Sequence, residues 1–425
     1  MAGAGSILEL HVLSFGLAAL MASSFIWLAF KSSKTPLTLR MALLHLGLLF
    51  LVNLFIFTTY IITEIPDFFG ASEATVAALK GCSNLLNVLT ILQIGFIFTI
   101  FPSPIFSNRK TTFGIGIFLV IILVIVFLIV TWLSLSIYSG YFVWLLVALT
   151  INGFGSFFMV RWYLLYRSSD DQILRNQAIA APLLMLGLLG GNTIKWPSLL
   201  LLGGPELFFQ GTYLALGDGL PLFVILMNST AIIMPVCALV VVLVKESTIQ
   251  SELRDRSLLF TSVAFMLFGF LNLLILSLAD SDGDFRSLWD YFAVIGMFGL
   301  VRPLILIYVA LRFNLFDINN PQIRGKVRII ALLLVTVWTS SFFEIIQAFI
   351  PLPQLLSAAL IGVVLAFAIG WEEKIFEGLA SGGEKQMLLS EDDYFEKDDL
   401  FRSVMIVFGA VILYLCLGFI SGSEI

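Results

Sequence analysis

The chain has 425 residues, 60% of them hydrophobic and only 12% charged, with a formal net charge of −5 at neutral pH. Soluble domains carry about 25% charged residues, so this composition excludes one, and the acidic balance leaves no basic surface for nucleic acid. The apolar residues fall in long blocks, each near the roughly 20 residues that a helix needs to cross hydrocarbon.

In chain order the blocks lie at 7–30, 41–63, 76–101, 113–138, 141–166, 177–202, 220–244, 257–279, 288–311, 328–350, 354–371 and 402–421. Sustained period-two alternation is absent, so helices are the way to satisfy the backbone in lipid. The expectation is an all-α polytopic transmembrane helix bundle of about twelve spans. Residues 1–10 show no basic stretch and no cleavage site, so no cleaved signal peptide is expected.

The connections alternate in charge. Nineteen of the 23 Lys and Arg residues lie on one set. These are Lys31, Lys34 and Arg40; Arg109 and Lys110; Arg161, Arg167 and Arg175; Lys245, Arg254 and Arg256; Arg312, Arg324, Lys326 and Arg328; and Lys374, Lys385, Lys397 and Arg402. The other set holds Glu64, Asp67 and Glu73, then Glu206 and Asp218, then Asp280, Asp282 and Asp284, with Arg286 as its one base. The positive-inside rule puts the first set in the cytoplasm and both termini outside.

The connections are short and leave no room for a soluble catalytic domain. The longest cytoplasmic one, 371–402, is acidic from Glu391 to Asp399. It reads as a solvated loop or as a docking segment for a protein partner. Ser381 to Lys385 lacks the strand and helix that a phosphate-binding loop needs. The outside connection 203–220 places Phe208, Phe209 and Tyr213 at headgroup depth. The two halves share no motif, which counts against a six-plus-six transporter repeat.

Ionisable residues inside spans are costly and turn inward or toward a wet cavity. Arg302 precedes Arg312 by ten residues, roughly 15 Å along the helix, and so sits near mid-membrane. Pro303 follows it and frees a helical carbonyl. Glu344 shares a helix face with Thr336, Ser340 and Gln347. The axial offset from Arg302 to Glu344 is roughly 9 Å. Either the two form a buried pair that fixes packing, or they serve a ligand or ion. The third span carries Lys80, Asn84, Asn87 and Thr90, with Ser83 and Gln93 beside them. That stripe reads as interhelical hydrogen bonding or as part of a solute path. Lys195 sits in the Gly190–Pro197 stretch, where a broken helix is expected. The candidate ligand or ion site is therefore Arg302, Glu344, Lys80, Asn84, Asn87 and Lys195.

The two histidines, His11 and His45, lie at opposite ends of their spans, roughly 20 Å apart, and cannot share a metal ion. Each reads as a lone packed or interfacial histidine. Cys82, Cys237 and Cys416 all fall in apolar spans and read as small buried hydrophobes. No disulfide framework, zinc spacing, carboxylate cluster or activated nucleophile is visible, so no metal, no cofactor and no enzyme activity is expected.

The ninth span ends Pro303, then Tyr308-Val309-Ala310-Leu311-Arg312-Phe313-Asn314-Leu315-Phe316-Asp317-Ile318. This resembles the end of the multi-pass N-terminal sensor region of bacterial histidine kinases, where a proline-bearing helix closes with a similar pattern. Tyr308, Arg312, Leu315, Asp317 and Ile318 match; Asn314 replaces the usual second Arg and Val309 the usual Ala. Tyr308, Arg312 and Asp317 then form a helix-end anchor at the cytoplasmic headgroups. No kinase domain follows. The resemblance implies a sensor-like bundle of about nine spans at 1–318, with a three-span C-terminal extension at 319–425 that includes the loop 371–402.

The function expected is that of a non-enzymatic integral protein of a prokaryotic plasma membrane, sensor- or receptor-like, acting through a partner at 371–402. The alternatives are a secondary transporter or channel for a small solute or ion, and a structural subunit of a membrane complex.

Overall fold

The computed structural model describes residues 3–31, 37–100, 104–132 and 394–422, with scattered positions within 325–366. The described residues are helical and contain no strand. They form α1 (Gly3–Lys31), α2 (Leu37–Glu64), α3 (Pro66–Phe69), α4 (Glu73–Ile100), α5 (Arg109–Trp132) and α6 (Lys397–Gly422). Four of them contain stretches long and apolar enough to cross a membrane: Ser14–Lys31, Leu37–Glu64, Glu73–Ile97 and Lys397–Phe419. The eight expected spans at 113–138 and from 141 to 371 lie wholly or partly outside the described residues. So does the domain boundary at 318.

The chain divides into two compact units, Met1–Phe154 with Leu388–Ile425, and Gly155–Met387. All six helices belong to the first. Within it α2 packs against α1 and α4, and α6 returns from the far end of the sequence to lie on α4 and, more lightly, on α2. The buried stripe of α1 is Leu17, Met21, Phe25 and Leu28. That of α6 is Leu400, Ser403, Val407, Val411 and Tyr414. Both follow helical spacing. From Leu39 to Leu49, α2 is buried on every side. The faces of α6 and α5 turned away from this core keep Phe401, Met405, Phe408 and Ile412, and Ile117, Phe118, Ile121 and Ile125, exposed. Lipid tails are as apolar as such side chains and carry them without penalty.

Two glycines set the closest approaches. A Cβ on Gly47 would stand 2.7 Å from Ile26 Cγ1 and 2.9 Å from the Ile26 backbone nitrogen. One on Gly418 would stand 2.7 Å from the Cys82 nitrogen and 2.8 Å from its Cα. The backbones of α1 and α2, and of α4 and α6, meet because these positions lack side chains.

Local chemistry places the helix ends. Asn108 Oδ1 accepts from the Lys110 amide at 2.9 Å and caps α5. Ser72 Oγ accepts from the Thr75 amide at 3.3 Å and caps α4. Pro66 opens α3, and Gly70 closes it at φ 63°, with its own amide donating to Asp67 O and that of Ala71 to Pro66 O. That pair of bonds and a left-handed glycine make a Schellman stop.

The helices outrun the apolar blocks read from sequence. Arg40, Arg109, Lys110 and Arg402, placed in connections by hydropathy, lie inside α2, α5 and α6. A helix keeps satisfying its backbone past the hydrocarbon edge, and long basic side chains reach headgroup depth from its end turns. For the same reason residues 397–402 of the connection 371–402 are already helix.

Candidate functional site

At one end of the described bundle the basic residues gather. Arg40 Nε donates to Ala29 O at 2.7 Å and its Nη2 to Phe30 O at 3.2 Å. A buried guanidinium thus closes the C-terminus of α1, where the helix dipole favours positive charge. Beside it, Ser403 Oγ of α6 donates to Met41 Sδ of α2 at 3.2 Å. These contacts put the N-termini of α2 and α6 at the same end as the C-terminus of α1.

The centre of this end is Asp399, which is 1% exposed. Its Oδ2 accepts from Arg109 Nη1 at 3.3 Å and from the Glu396 amide at 2.9 Å; its Oδ1 accepts from Arg402 Nη1 at 3.1 Å. The amide bond is half of a capping box, with Glu396 as the cap and Asp399 three residues on. Arg109 Nη2 lies 2.6 Å from Glu396 Oε1. The hydrogen bond from Arg109 and its charge hold the Glu396 carboxyl below its usual range, and the hydrogen bond to Glu396 raises Arg109 in turn. Thr112 Oγ1 and the Tyr394 hydroxyl share a hydrogen bond of 2.7 Å. Residues 394–402, the end of the acidic connection, are thereby fastened to the first turn of α5.

An aromatic ladder runs from this latch into the bundle. Tyr394 and Phe395 pack edge to face with ring centres 4.7 Å apart. Phe395, fully buried, meets Phe113 at 5.9 Å; Phe113 meets Phe96 at 5.9 Å; and Phe96 meets His45 at 4.3 Å. Four separate segments contribute these rings. At the ladder's inner end His45 Nδ1 donates to Gln93 Oε1 at 2.6 Å. That bond puts the imidazole proton on Nδ1 and leaves Nε2 a bare, buried acceptor with no partner among the described residues.

The sequence-predicted site residues divide. Asn87 Nδ2 donates to the Tyr60 hydroxyl at 3.3 Å and to Ser83 O at 3.0 Å, so it joins α4 to α2. Lys80 is exposed near the end of α4 that carries Glu73. Asn84 lies on the same helix. Thr90 and Ser83 donate to carbonyls of their own helix, Leu86 O and Lys80 O. Arg302, Glu344 and Lys195 lie outside the described residues, as do Tyr308, Arg312 and Asp317. The structure adds what sequence reasoning missed. Neither histidine is alone: His45 pairs with Gln93, and the His11 ring packs on Tyr60 at 5.2 Å. Cys82 is buried and donates to Leu415 O at 3.4 Å, but Cys416, expected buried, is exposed. It lies two residues from Tyr414, on the opposite side of α6 from the core. Cys237 is outside the described residues. Among the described residues no group of His, Cys, Asp and Glu has the arrangement of a metal site.

Searches against protein-family models, curated proteins and solved structures return no match for this chain.

Proposed function

We propose that this chain is a non-enzymatic, multi-pass plasma-membrane protein of a prokaryote, sensor- or receptor-like, which acts through a protein partner docked on the cytoplasmic connection 371–402. The observation that carries the reading is the packed path from His45 and Gln93, through Phe96, Phe113 and Phe395, to Tyr394 and the Asp399 latch. A change in how α2 and α4 pack reaches the root of the connection through rings in contact. Close-packed interiors convey such shifts because they repack between discrete arrangements. The pattern at Tyr308, Arg312 and Asp317 supports the same reading by its resemblance to kinase sensor regions.

The test is photo-crosslinking in native membranes with a benzophenone amino acid at positions 386 and 389. A discrete adduct is expected, with a yield that Phe113→Ala changes at least twofold at equal expression. No adduct from any position in 371–393, or a yield indifferent to Phe113→Ala, overturns the proposal.

A second reading, a transporter or channel for a small solute or ion, is favoured by one observation. His45 Nε2 is a buried, unpartnered acceptor within a span, and ionisable groups at that depth commonly serve proton relays. Proteoliposomes loaded with a pH dye would then acidify under an imposed gradient, and His45→Phe would abolish the flux. Equal flux in both removes this reading.

A further inference from the structure

We propose that α3, the four-residue helix Pro66–Phe69 between α2 and α4, is a preformed wedge that sets Phe68 and Phe69 into the lipid interface at the end of the bundle opposite the Asp399 latch.

Phe68 is 79% exposed and Phe69 50% exposed, the most exposed adjacent pair of large apolar residues among the described residues. Their rings pack edge to face with centres 5.1 Å apart. They form one apolar knob rather than two stray side chains. The turn that carries them is rigid. Pro66 opens it, the Phe68 amide donates to Ile65 O at 3.2 Å, and the Schellman stop at Gly70 closes it. Holding two phenylalanines outward on a fixed turn makes sense only where something apolar receives them.

The position names the recipient. α3 joins two candidate spans, Leu37–Glu64 and Glu73–Ile97. An α2 of 28 residues is about 42 Å long, against roughly 30 Å of hydrocarbon. Centred in a bilayer, it overshoots by about 6 Å at each end, which puts α3 inside the headgroup layer. From there a phenylalanine ring reaches the acyl boundary, the depth at which interfacial helices bury their apolar faces. The polar fringe fits a lipid surface as well. Glu64, Asp67 and Glu73 are exposed around the knob and no base accompanies them in this connection. Such a fringe stays in water and suits a zwitterionic surface better than an anionic one. The wedge fixes the height at which α2 and α4 stop in the membrane.

The experiment uses the full chain in phosphatidylcholine nanodiscs, with Cys82, Cys237 and Cys416 replaced and a nitroxide placed in turn at Asp67→Cys, Phe68→Cys and Phe69→Cys. Collision rates with oxygen and with a water-soluble nickel chelate are compared. Labels at 68 and 69 should favour oxygen at least threefold, while the label at 67 favours nickel. Nickel-dominated collisions at all three sites place the knob in water and overturn the proposal. Low rates with both reagents at 68 and 69 mean that protein covers it, and overturn it equally. If labelled variants fail to fold, the unmodified chain is irradiated with a lipid-phase carbene probe. Adducts on Phe68 or Phe69 are expected, and their absence from 65–72 overturns the proposal.

Discussion

The return of the C-terminal helix onto α4 depends on a single missing methyl. In Gly418→Ala the new Cβ stands 2.7 Å from the Cys82 backbone nitrogen and 2.8 Å from its Cα, where ordinary contact begins at 3.4 Å. These are backbone atoms, so no side-chain rotation relieves them. α4 and α6 must part by about 0.6–0.7 Å. Overpacking of this kind costs about 1–3 kcal/mol, and a gap of that width forfeits a quarter to a half of the dispersion well along the seam. Alanine also regains up to about 1 kcal/mol of helix propensity over glycine, which blurs a single measurement. Gly409 supplies the control. It lies on the same helix with nothing within 4 Å of its would-be Cβ, so Gly409→Ala takes the propensity gain without the clash. The two variants should therefore differ by about 1–3 kcal/mol, with Gly418→Ala the less stable. Thermal unfolding of the full chain in detergent, followed by tryptophan fluorescence, gives the order. Adding Cys82→Ala removes the Sγ contact but not the backbone ones, and should restore only part of the loss. A Gly418→Ala protein that melts at or above Gly409→Ala would refute the close approach.

Asp399→Ala removes the acceptor of the Glu396 amide and of two guanidinium groups; the cap alone is worth about 1 kcal/mol, and a midpoint unchanged by this variant would mean the latch is not formed in solution. The Glu396 carboxyl is held below its usual 4.5 by Arg109, so its contribution is complete above about pH 4.5 and lost as pH falls below that. An acid titration of the unfolding midpoint should show a loss there that is smaller in Arg109→Gln, and identical curves would deny the pair any part in stability. His45→Phe and Gln93→Leu should each cost about 1–3 kcal/mol by stranding the other's polar group in the core, and the double variant less than the two together. Strict additivity would separate them. An impermeant maleimide should label a cysteine at 64 from outside and one at 110 from inside, with 218 and 326 repeating the alternation; the same side for any neighbouring pair in that series removes a span.

What the sequence made legible was length and polarity. Blocks at 7–30, 41–63, 76–101 and 402–421 correspond to α1, α2, α4 and α6, each within about five residues at either end. The segregation of Lys31, Arg40, Arg109, Lys397 and Arg402 from Glu64, Asp67 and Glu73 reappears as two chemically distinct ends of one bundle. On the third span the polar face through Asn87 and Gln93 was legible, because both bond to α2, whereas Lys80 of the same stripe is exposed. Its partners were not. Tyr60 lies 27 residues from Asn87, and His45 lies 48 from Gln93. Periodicity cannot identify such neighbours, least of all in α2, where burial on every side from Leu39 to Leu49 erases the amphipathic signal that would orient the helix.

The latch was hidden for a related physical reason. In water, the apolar stripe of a helix announces which face is covered, since solvent penalises any other arrangement. Lipid imposes no such penalty, so exposed Phe401 and buried Val407 on α6 look alike to a hydropathy window. What selects one helix pairing over another in lipid is the small remainder: a glycine that lets two backbones touch, and polar groups that find each other. Gly418 against Cys82 and Asp399 against Arg109 are these remainders for α6, one at each end of the helix and both more than 280 residues distant in sequence from their partners. A connection that reads as a solvated acidic loop therefore ends in a buried carboxylate. The acids at Glu396 and Asp399 meet the positive charge they call for within the chain itself, at Arg109.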